Sequence, residues 1–177
     1  EQSLKRLNLS KIDILLIHDV DTFTHGDFTE KYFKNSMEGA YKAINSLKEQ
    51  KVIKAIGVGL NDAKMCERFA KSGDFDCMIV ANKYSLLEQN ALDNFFPIAK
   101  KKNISVLLAG VFNSGILAKG LIQGSTYEYS PISNLIKEKY LKIKKICDQF
   151  NIPITAAALQ FAKAPEVVST LVLGMDK

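Results

Sequence analysis

The sequence predicts an α/β protein built on a parallel β-sheet. Apolar stretches of strand length alternate with stretches in which apolar residues recur every three or four positions, as on amphipathic helices. No Asn-Gly or similar hairpin signal joins the predicted strands, so successive strands are connected through helices and run parallel. Two architectures fit this order, an open doubly wound sheet and part of an eight-stranded (β/α)8 barrel.

Length and composition predict one ordinary globular domain. The chain has 177 residues, of which 47% are hydrophobic, enough to form a proper core. No apolar run approaches the roughly 18 residues of a membrane span, and the opening E-Q-S-L-K-R-L lacks the apolar segment of a signal peptide. We therefore expect a cytoplasmic protein with no membrane contact. Because the sequence does not open with methionine, we also expect it to begin partway through a longer gene product.

Charge and cysteine content exclude several classes of function. The net charge of +5 comes from lysines scattered along helices, without the aromatic residues or the recognisable module of a nucleic-acid-binding protein. The three cysteines are widely spaced and form no C-x-x-C pair, so we expect neither a disulfide framework nor a metal site.

The first predicted strand is also the most informative one. After a helix end at residues 4–8, with Asn8 as a left-handed cap, residues 12–19 read I-D-I-L-L-I-H-D. An apolar run without polar alternation predicts a strand buried on both faces. The run ends in His18 and Asp19, and the carboxyl end of a parallel strand is where these folds place their chemistry.

The next segment is predicted as a polar loop over residues 20–34, followed by a helix. Asn35 and Glu38 have the spacing of a capping box, which predicts Asn35 as the N-cap. An apolar stripe then follows the helix, comprising Met37, Ala40, Tyr41, Ile44 and Leu47.

The remaining elements continue the alternation. Further strands are predicted at residues 52–59, 77–81, 104–110 and 168–173. Helices are predicted at 63–71, 90–101 and 155–164, together with a periodic helix marked by Ile136, Tyr140, Ile143, Cys147 and Phe150. The glycine-punctuated segment after residue 110 is predicted to be a long loop.

Several ordered stretches resemble the aldo-keto reductases over residues 3–174. They are S-L-K-R-L with I-D-I-L-L-I-H, then V-I-K-A-I-G-V-G-L-N, Y-S-L-L-E-Q, F-N-S-G-I-L and A-A-A-L-Q-F. G-D-F-D-C, A-N-K-Y-S-L-L-E-Q and A-G-V-F-N-S-G-I-L are most similar to the branch of sugar dehydrogenases that act on L-fucose, D-galactose or D-threo-aldoses. The resemblance implies that residues 1–177 form a single domain, the carboxyl-terminal portion of a (β/α)8 barrel. Strands four to eight would then be present and the first three β/α units absent, since such barrels typically need about 250 residues.

The resemblance also implies hydride transfer with NAD or NADP, using an aspartate, a tyrosine, a lysine and a histidine. Only the histidine maps here, to His18, whose implied role is to donate a hydrogen bond that orients the substrate oxygen. The other three residues are expected in the absent portion. Asp19 either contacts substrate or caps the loop, and both readings remain open.

The implied cofactor contacts lie after three of the strands. Asn61 is the candidate for the nicotinamide carboxamide, and Asn82 lies beside Ala81, where the family commonly has glutamine. Ala109 replaces the aromatic residue that usually stacks on the nicotinamide. Small residues in the loop that wraps the pyrophosphate let the backbone approach phosphate closely, and the six positions are Gly110, Val111, Phe112, Asn113, Ser114 and Gly115.

The implied activity is oxidation of an aldose at C1 to the lactone, or reduction of a carbonyl. A non-catalytic cofactor-binding barrel, acting as a sensor, scaffold or channel subunit, is the alternative, as is an inactive fragment. The expected partners are a small sugar or carbonyl substrate and the nucleotide, with no nucleic acid, membrane or metal. The complete protein is expected to be a monomer or homodimer.

Overall fold

The computed structural model describes residues 2–174, whose main feature is a five-stranded parallel sheet. Its strands are β1 (Ile14–His18), β2 (Ala55–Leu60), β3 (Cys77–Ala81), β4 (Ser105–Ala109) and β7 (Val168–Val172), in the order β1-β2-β3-β4-β7. The predicted α/β class is confirmed. A doubly wound sheet reverses its strand order at a switch point. In this sheet the strands follow one another in chain order from one edge to the other. The topology therefore favours a barrel segment.

The helices alternate with these strands. They are α1 (Gln2–Leu7), α2 (Thr22–His25), α3 (Thr29–Asn35), α4 (Lys42–Glu49), α5 (Ala63–Ser72), α6 (Asn90–Asp93), α7 (Phe95–Lys101), α8 (Ile116–Lys119), α9 (Asn134–Gln149) and α10 (Ile154–Lys163). Asn8 ends α1 with φ +52°, the predicted left-handed cap. Within residues 2–174, no helix combines the length and apolarity that a membrane crossing requires.

The two faces of the sheet are covered unequally. On one face Ile56, Val58 and Leu108 are fully buried. They pack in the main core with helical residues such as Phe69 and Ala99. The opposite face, which includes Leu16 and Ile79, is only half-buried. The prediction that residues 12–19 are buried on both faces is therefore wrong, because the helices pack on one face and β1 lies at an edge of the described sheet.

The predicted loop at residues 20–34 is mostly helical. Asp21 caps α2 by accepting a hydrogen bond from the Thr24 N–H at 2.8 Å, and a 3₁₀ turn at Gly26–Phe28 leads into α3. The predicted N-cap, Asn35, instead has helical φ and ψ and makes no capping hydrogen bond. The capping-box spacing misled because the chain was already helical on its amino side.

The same helical path continues through a π-helical segment, Ser36–Tyr41, into α4. Met37, Tyr41, Ile44 and Leu47 pack against the main core as predicted, whereas Ala40 is exposed. A π turn holds more residues than an α turn, which shifts the stripe by part of a turn and leaves Ala40 outside it.

The predicted helix at 90–101 is divided into α6 and α7 by Asn94, at φ −122° and ψ −44°. Pro97 has no N–H to donate to the preceding turn, so it is tolerated only in the first turn of a helix that restarts at Phe95. The predicted long loop contains α8 and precedes a small hairpin, β5 (Thr126–Tyr127) with β6 (Ser130–Pro131). A second apolar cluster joins this region to α9 and α10, although Phe150 is 71% exposed and lies outside it.

Candidate functional site

The candidate site lies at the carboxyl edge of the sheet. His18 ends β1, Asn61 follows β2, Asn82 follows β3 and Gly110 follows β4. Because the strands are parallel, with His18 beside Gly59 and Ala81 beside Ala109, these residues all reach the same edge. His18 and Leu16 face the less covered side of the sheet, together with their register partners Gly59 and Gly57.

His18 is held by its sequence neighbour. Its Nδ1 lies 3.1 Å from Asp19 Oδ2, and the imidazole is 75% exposed. Asp19 has a left-handed backbone at φ +49° and donates its N–H to the Gly59 carbonyl at 3.0 Å. The carboxylate thus orients the ring through Nδ1 and leaves Nε2 as the nitrogen available to a ligand. Its second oxygen, Oδ1, is buried and has no hydrogen-bond partner among residues 2–174.

The two asparagines lie together, as the shared edge requires. Asn82 Nδ2 donates to Asn61 Oδ1 at 3.2 Å, and the Asn82 N–H donates to the Ala109 carbonyl at 3.1 Å. Asn82 and Gly110 both have positive φ, +60° and +65°. A Cβ at Gly110 would lie 2.2 Å from Asn82 Oδ1, so this position needs glycine for space as well as for backbone conformation.

Residues 110–115, here called the 110–115 turn, form a second part of the site. Asn113, Ser114 and Gly115 have consecutive positive φ values of +45°, +55° and +89°. The turn lines a cavity of about 500 Å³ together with residues of α8 and with residues 172–174, which are the last residue of β7 and the two that follow it. A Cβ at Gly115 would meet no atom within 4 Å, which leaves open space beside the backbone.

A larger cavity, of about 920 Å³, contains the asparagine pair but neither His18 nor the 110–115 turn. It is bordered by Asp21, by Phe23 and by the β5–β6 hairpin. The structure therefore places the predicted residues along one edge of the sheet but not in one cavity. The asparagine pair lines the larger cavity, the 110–115 turn lines the smaller one, and His18 lies outside both.

The hairpin connects three of the loops at this edge. Glu128 forms an ion pair with Lys83 after β3, and its N–H donates to Ser114 Oγ at 3.2 Å. Tyr129 stacks on Phe23 of α2, with ring centroids 6.0 Å apart. Sequence reasoning missed Lys83 and Glu128, because residues 45 positions apart have no local signal that pairs them.

Tyr127 places a phenol in the larger cavity. Its hydroxyl is buried and has no hydrogen-bond partner in the described part of the chain. Burial raises the pKa of Tyr127, and the carboxylates of Glu88 and Glu128 raise it further. The phenol therefore stays protonated near neutral pH and can act as a hydrogen-bond donor. Residues 2–174 contain no group of three His, Cys, Asp or Glu side chains arranged to hold a metal ion.

Comparison with known proteins identifies the family. The model of the aldo/keto reductase family matches residues 1–177. Pyridoxal 4-dehydrogenase of Microbacterium luteolum is 33% identical over 99% of this chain and 52% of its own length. D-threo-aldose 1-dehydrogenase of a Pseudomonas species is 30% identical over 98% of this chain and 50% of its own length. The chain thus spans about half the length of the curated relatives it matches.

Solved structures show the same fold. An aldo-keto reductase of Bacillus halodurans, in its apo form, superposes with a TM-score of 0.72 at 21% identity, over 99% of this chain and 56% of that one. The glycerol dehydrogenase of Gluconobacter oxydans superposes with a TM-score of 0.69 at 21% identity, over 96% of this chain and 51% of that one. The five-stranded sheet is therefore part of a (β/α)8 barrel, and the resemblance to the sugar-dehydrogenase branch is confirmed by a D-threo-aldose relative. This chain belongs to the aldo/keto reductase family.

Proposed function

We propose that this chain is the carboxyl-terminal half of an NAD(P)-dependent dehydrogenase that oxidises an aldose at C1 to its lactone, or in reverse reduces a carbonyl. The five strands would be the fourth to eighth of the complete barrel, and residues 1–177 a single domain within it. The observation that carries the proposal is the convergence of His18, the asparagine pair and the 110–115 turn on one edge of the sheet.

The 110–115 turn fits the diphosphate of a dinucleotide. Its three consecutive positive φ values and the open space beside Gly115 bring the backbone to the cavity surface. Asn113 Nδ2 is a buried donor without a partner among the described residues, and phosphate oxygens are acceptors. When bound, the nicotinamide supplies the two-electron acceptor for a hydride.

The asparagine pair fits an amide group. Asn82 Nδ2 donates to Asn61 Oδ1 and so fixes the Asn61 amide. The Asn61 Nδ2 group is therefore directed to other acceptors, such as a carboxamide oxygen. An amide donor and an amide acceptor side by side match the two hydrogen-bonding groups of a nicotinamide carboxamide. We assign Asn61 and Asn82 to this contact.

His18 would orient the sugar. With Asp19 at Nδ1, Nε2 is the ring nitrogen that would contact the C1 oxygen and orient it, the role that the resemblance to the family implies. The C1 hydrogen leaves with its electron pair as hydride, the hydroxyl proton passes to a base, and the C1–O bond becomes the lactone carbonyl. The base would be a tyrosine outside residues 1–177, as the resemblance to the family implies.

The substrate class rests on the two relatives of 30% identity or more. One is named for D-threo-aldoses and the other for pyridoxal. Cyclic aldoses and the internal hemiacetal of pyridoxal share a carbon that bears one hydrogen and one hydroxyl. We therefore propose a cyclic hemiacetal as the substrate, with an aldose first and pyridoxal second.

The test uses the gene product that carries this chain, purified as its native cell makes it. NAD⁺ or NADP⁺ is supplied with L-fucose, D-galactose or pyridoxal, NAD(P)H formation is followed by absorbance, and the lactone is identified by mass spectrometry. The expected result is stoichiometric NAD(P)H and lactone with at least one hemiacetal. Nucleotide binding without turnover on any of them would contradict the proposal and favour a non-catalytic barrel.

A further inference from the structure

Ser85 and Asn113 form a buried polar contact beneath the 110–115 turn. Ser85, in the segment after β3, is 0% exposed, and Asn113 is 1% exposed. The Ser85 hydroxyl donates to Asn113 Oδ1. The same hydroxyl oxygen accepts the N–H groups of Leu87 at 3.1 Å and Glu88 at 3.2 Å.

These contacts determine which way the Asn113 amide points. A serine hydroxyl has one donor and two acceptor positions, and the two N–H groups occupy both acceptor positions. Its proton must therefore go to an acceptor, and the atom facing it is Oδ1 of Asn113 rather than Nδ2. Ser85 thus directs the Asn113 NH₂ group away from itself.

Within residues 2–174, that NH₂ group has no acceptor. Asn113 Nδ2 is buried and without a hydrogen-bond partner among residues 2–174. In native proteins the large majority of buried side-chain polar atoms have such a partner. Asn113 lines the cavity of about 500 Å³ together with the rest of the 110–115 turn. An anion in this cavity would lie next to an oriented donor that lacks an acceptor in the described part of the chain.

We propose that Asn113 Nδ2 donates a hydrogen bond to a phosphate oxygen of the bound dinucleotide, and that Ser85 is the positioning residue that sets the amide for this contact. The inference rests on the proposed NAD(P) binding and adds to it a side-chain contact and a residue that touches no ligand. The Asn113 backbone, at φ +45°, suits asparagine, aspartate and glycine.

The test measures binding rather than turnover. Calorimetric dissociation constants for NAD⁺, NADP⁺ and ADP-ribose are compared between the native gene product and its Asn113→Asp, Asn113→Gly and Ser85→Ala variants. ADP-ribose keeps the diphosphate and lacks the nicotinamide. Asn113→Asp replaces the donor with a carboxylate, so affinity for all three should fall by about tenfold or more, as for loss of a hydrogen bond to a charged group. Asn113→Gly should lose less, because it removes the donor without adding charge.

Ser85→Ala frees the amide to rotate and should weaken all three ligands by several-fold, whereas Ser85→Thr, which keeps the hydroxyl, should restore part of the affinity. Asn103 is the matched control, since it is exposed, has φ +55° and lies before β4, at the other end of that strand. Asn103→Asp and Asn103→Gly should leave every dissociation constant unchanged.

Two outcomes would overturn the inference separately from the proposed function. If the unaltered protein binds the nucleotides and folded Asn113→Asp or Asn113→Gly binds ADP-ribose equally well, the side-chain contact is wrong. If the unaltered protein binds none of the three ligands, the proposed function itself fails and the inference fails with it.

Discussion

At the scale of single residues, Gly59 leaves the space that the His18 imidazole occupies. The Cα partner of His18 across the strand pair is Gly59, and a Cβ at Gly59 would lie 3.4 Å from His18 Cδ2, so the imidazole rests against this glycine. Two residues earlier, a Cβ at Gly57 would lie 2.2 Å from the Cys77 carbonyl oxygen. The G-V-G sequence of β2 therefore allows close strand packing at Gly57 and room for the ring at Gly59.

Substitution of His18 should affect chemistry and spare nucleotide binding. If its Nε2–H stabilises charge on the substrate oxygen, His18→Ala should lower kcat by about 10²–10³-fold, the usual loss for one such donor. The dissociation constant for NAD(P)⁺ should be unchanged, because His18 lies outside the cavity of the 110–115 turn. Steady-state kinetics and calorimetry on the native gene product measure both.

His25 is the matched control for the His18 substitution. It stacks on Tyr32 with ring centroids 4.0 Å apart and does not line either cavity, so His25→Ala should leave kcat unchanged. An unaltered kcat in His18→Ala would remove His18 from the catalytic role.

At the scale of elements, Arg68 joins α5 to α3. Its guanidinium lies 3.7 Å from the centroid of the Phe33 ring, and its Nη2 lies 2.7 Å from Glu30 Oε1. The hydrogen bond from Arg68 lowers the pKa of Glu30; burial opposes this effect, and the charge of Arg68 adds a smaller further lowering. One side chain thus combines a cation–π contact with an ion pair across two helices.

This pairing predicts a pH-dependent contribution to stability. A carboxyl group whose pKa is lower in the folded state stabilises the fold above its unfolded pKa, and the contribution is lost as the pH falls through the folded pKa. Glu30→Gln should therefore lower the free energy of unfolding slightly at neutral pH, as expected for an exposed pair. The difference from the unaltered protein should vanish in acid.

Denaturant unfolding at several pH values measures this effect. Glu38→Gln is the control on the neighbouring π-helical segment, because the Glu38 carboxylate lies 3.8 Å from Lys34 Nζ in an exposed position. A Glu30→Gln difference that persists unchanged in acid would show that the ion pair does not contribute.

At the scale of the whole molecule, β1 and β7 are the outer strands of the described sheet. Apolar side chains are exposed on both, with Ile14 at 43% and Val172 at 44%. Unpaired strand edges with exposed apolar residues promote association with other chains. In a closed barrel each of these strands would pair with another strand and the less covered face of the sheet would be enclosed.

The polypeptide of residues 1–177, expressed alone, should therefore self-associate or unfold in part. Sedimentation at increasing concentration should show dimers or aggregates, and Ile14→Lys with Val172→Lys should reduce them, since edge lysines oppose pairing. Leu141→Lys is the control, because Leu141 is 57% exposed on α9 and remote from either edge strand in sequence. A monomer with one sharp, concentration-independent thermal transition would contradict this prediction.

The sequence alone determined the parallel α/β class and most strand positions, with residues 77–81 predicted to the residue. Continuous apolar runs and helical periodicity are local signals. They predict the observed elements because burial of the apolar side chains stabilises those elements in the fold. His18 and the 110–115 turn could be identified because each follows a strand whose end is visible in the sequence. The Asn35 cap and the loop at 20–34 were wrong because Asp21 had already started the helical path.

The apolar and helical patterns left both a doubly wound sheet and a barrel segment open, and the family resemblance implied the barrel. The tertiary structure confirmed it through the strand order, which depends on pairing between distant segments. It also joined Asn82 to Asn61 and Lys83 to Glu128, and it placed Ser85 beneath Asn113. These partners lie between 21 and 45 residues apart in the chain. A hydrogen bond between such residues forms only after the sheet has brought the ends of neighbouring strands to one edge, so the sequence contains the side chains but not their contacts.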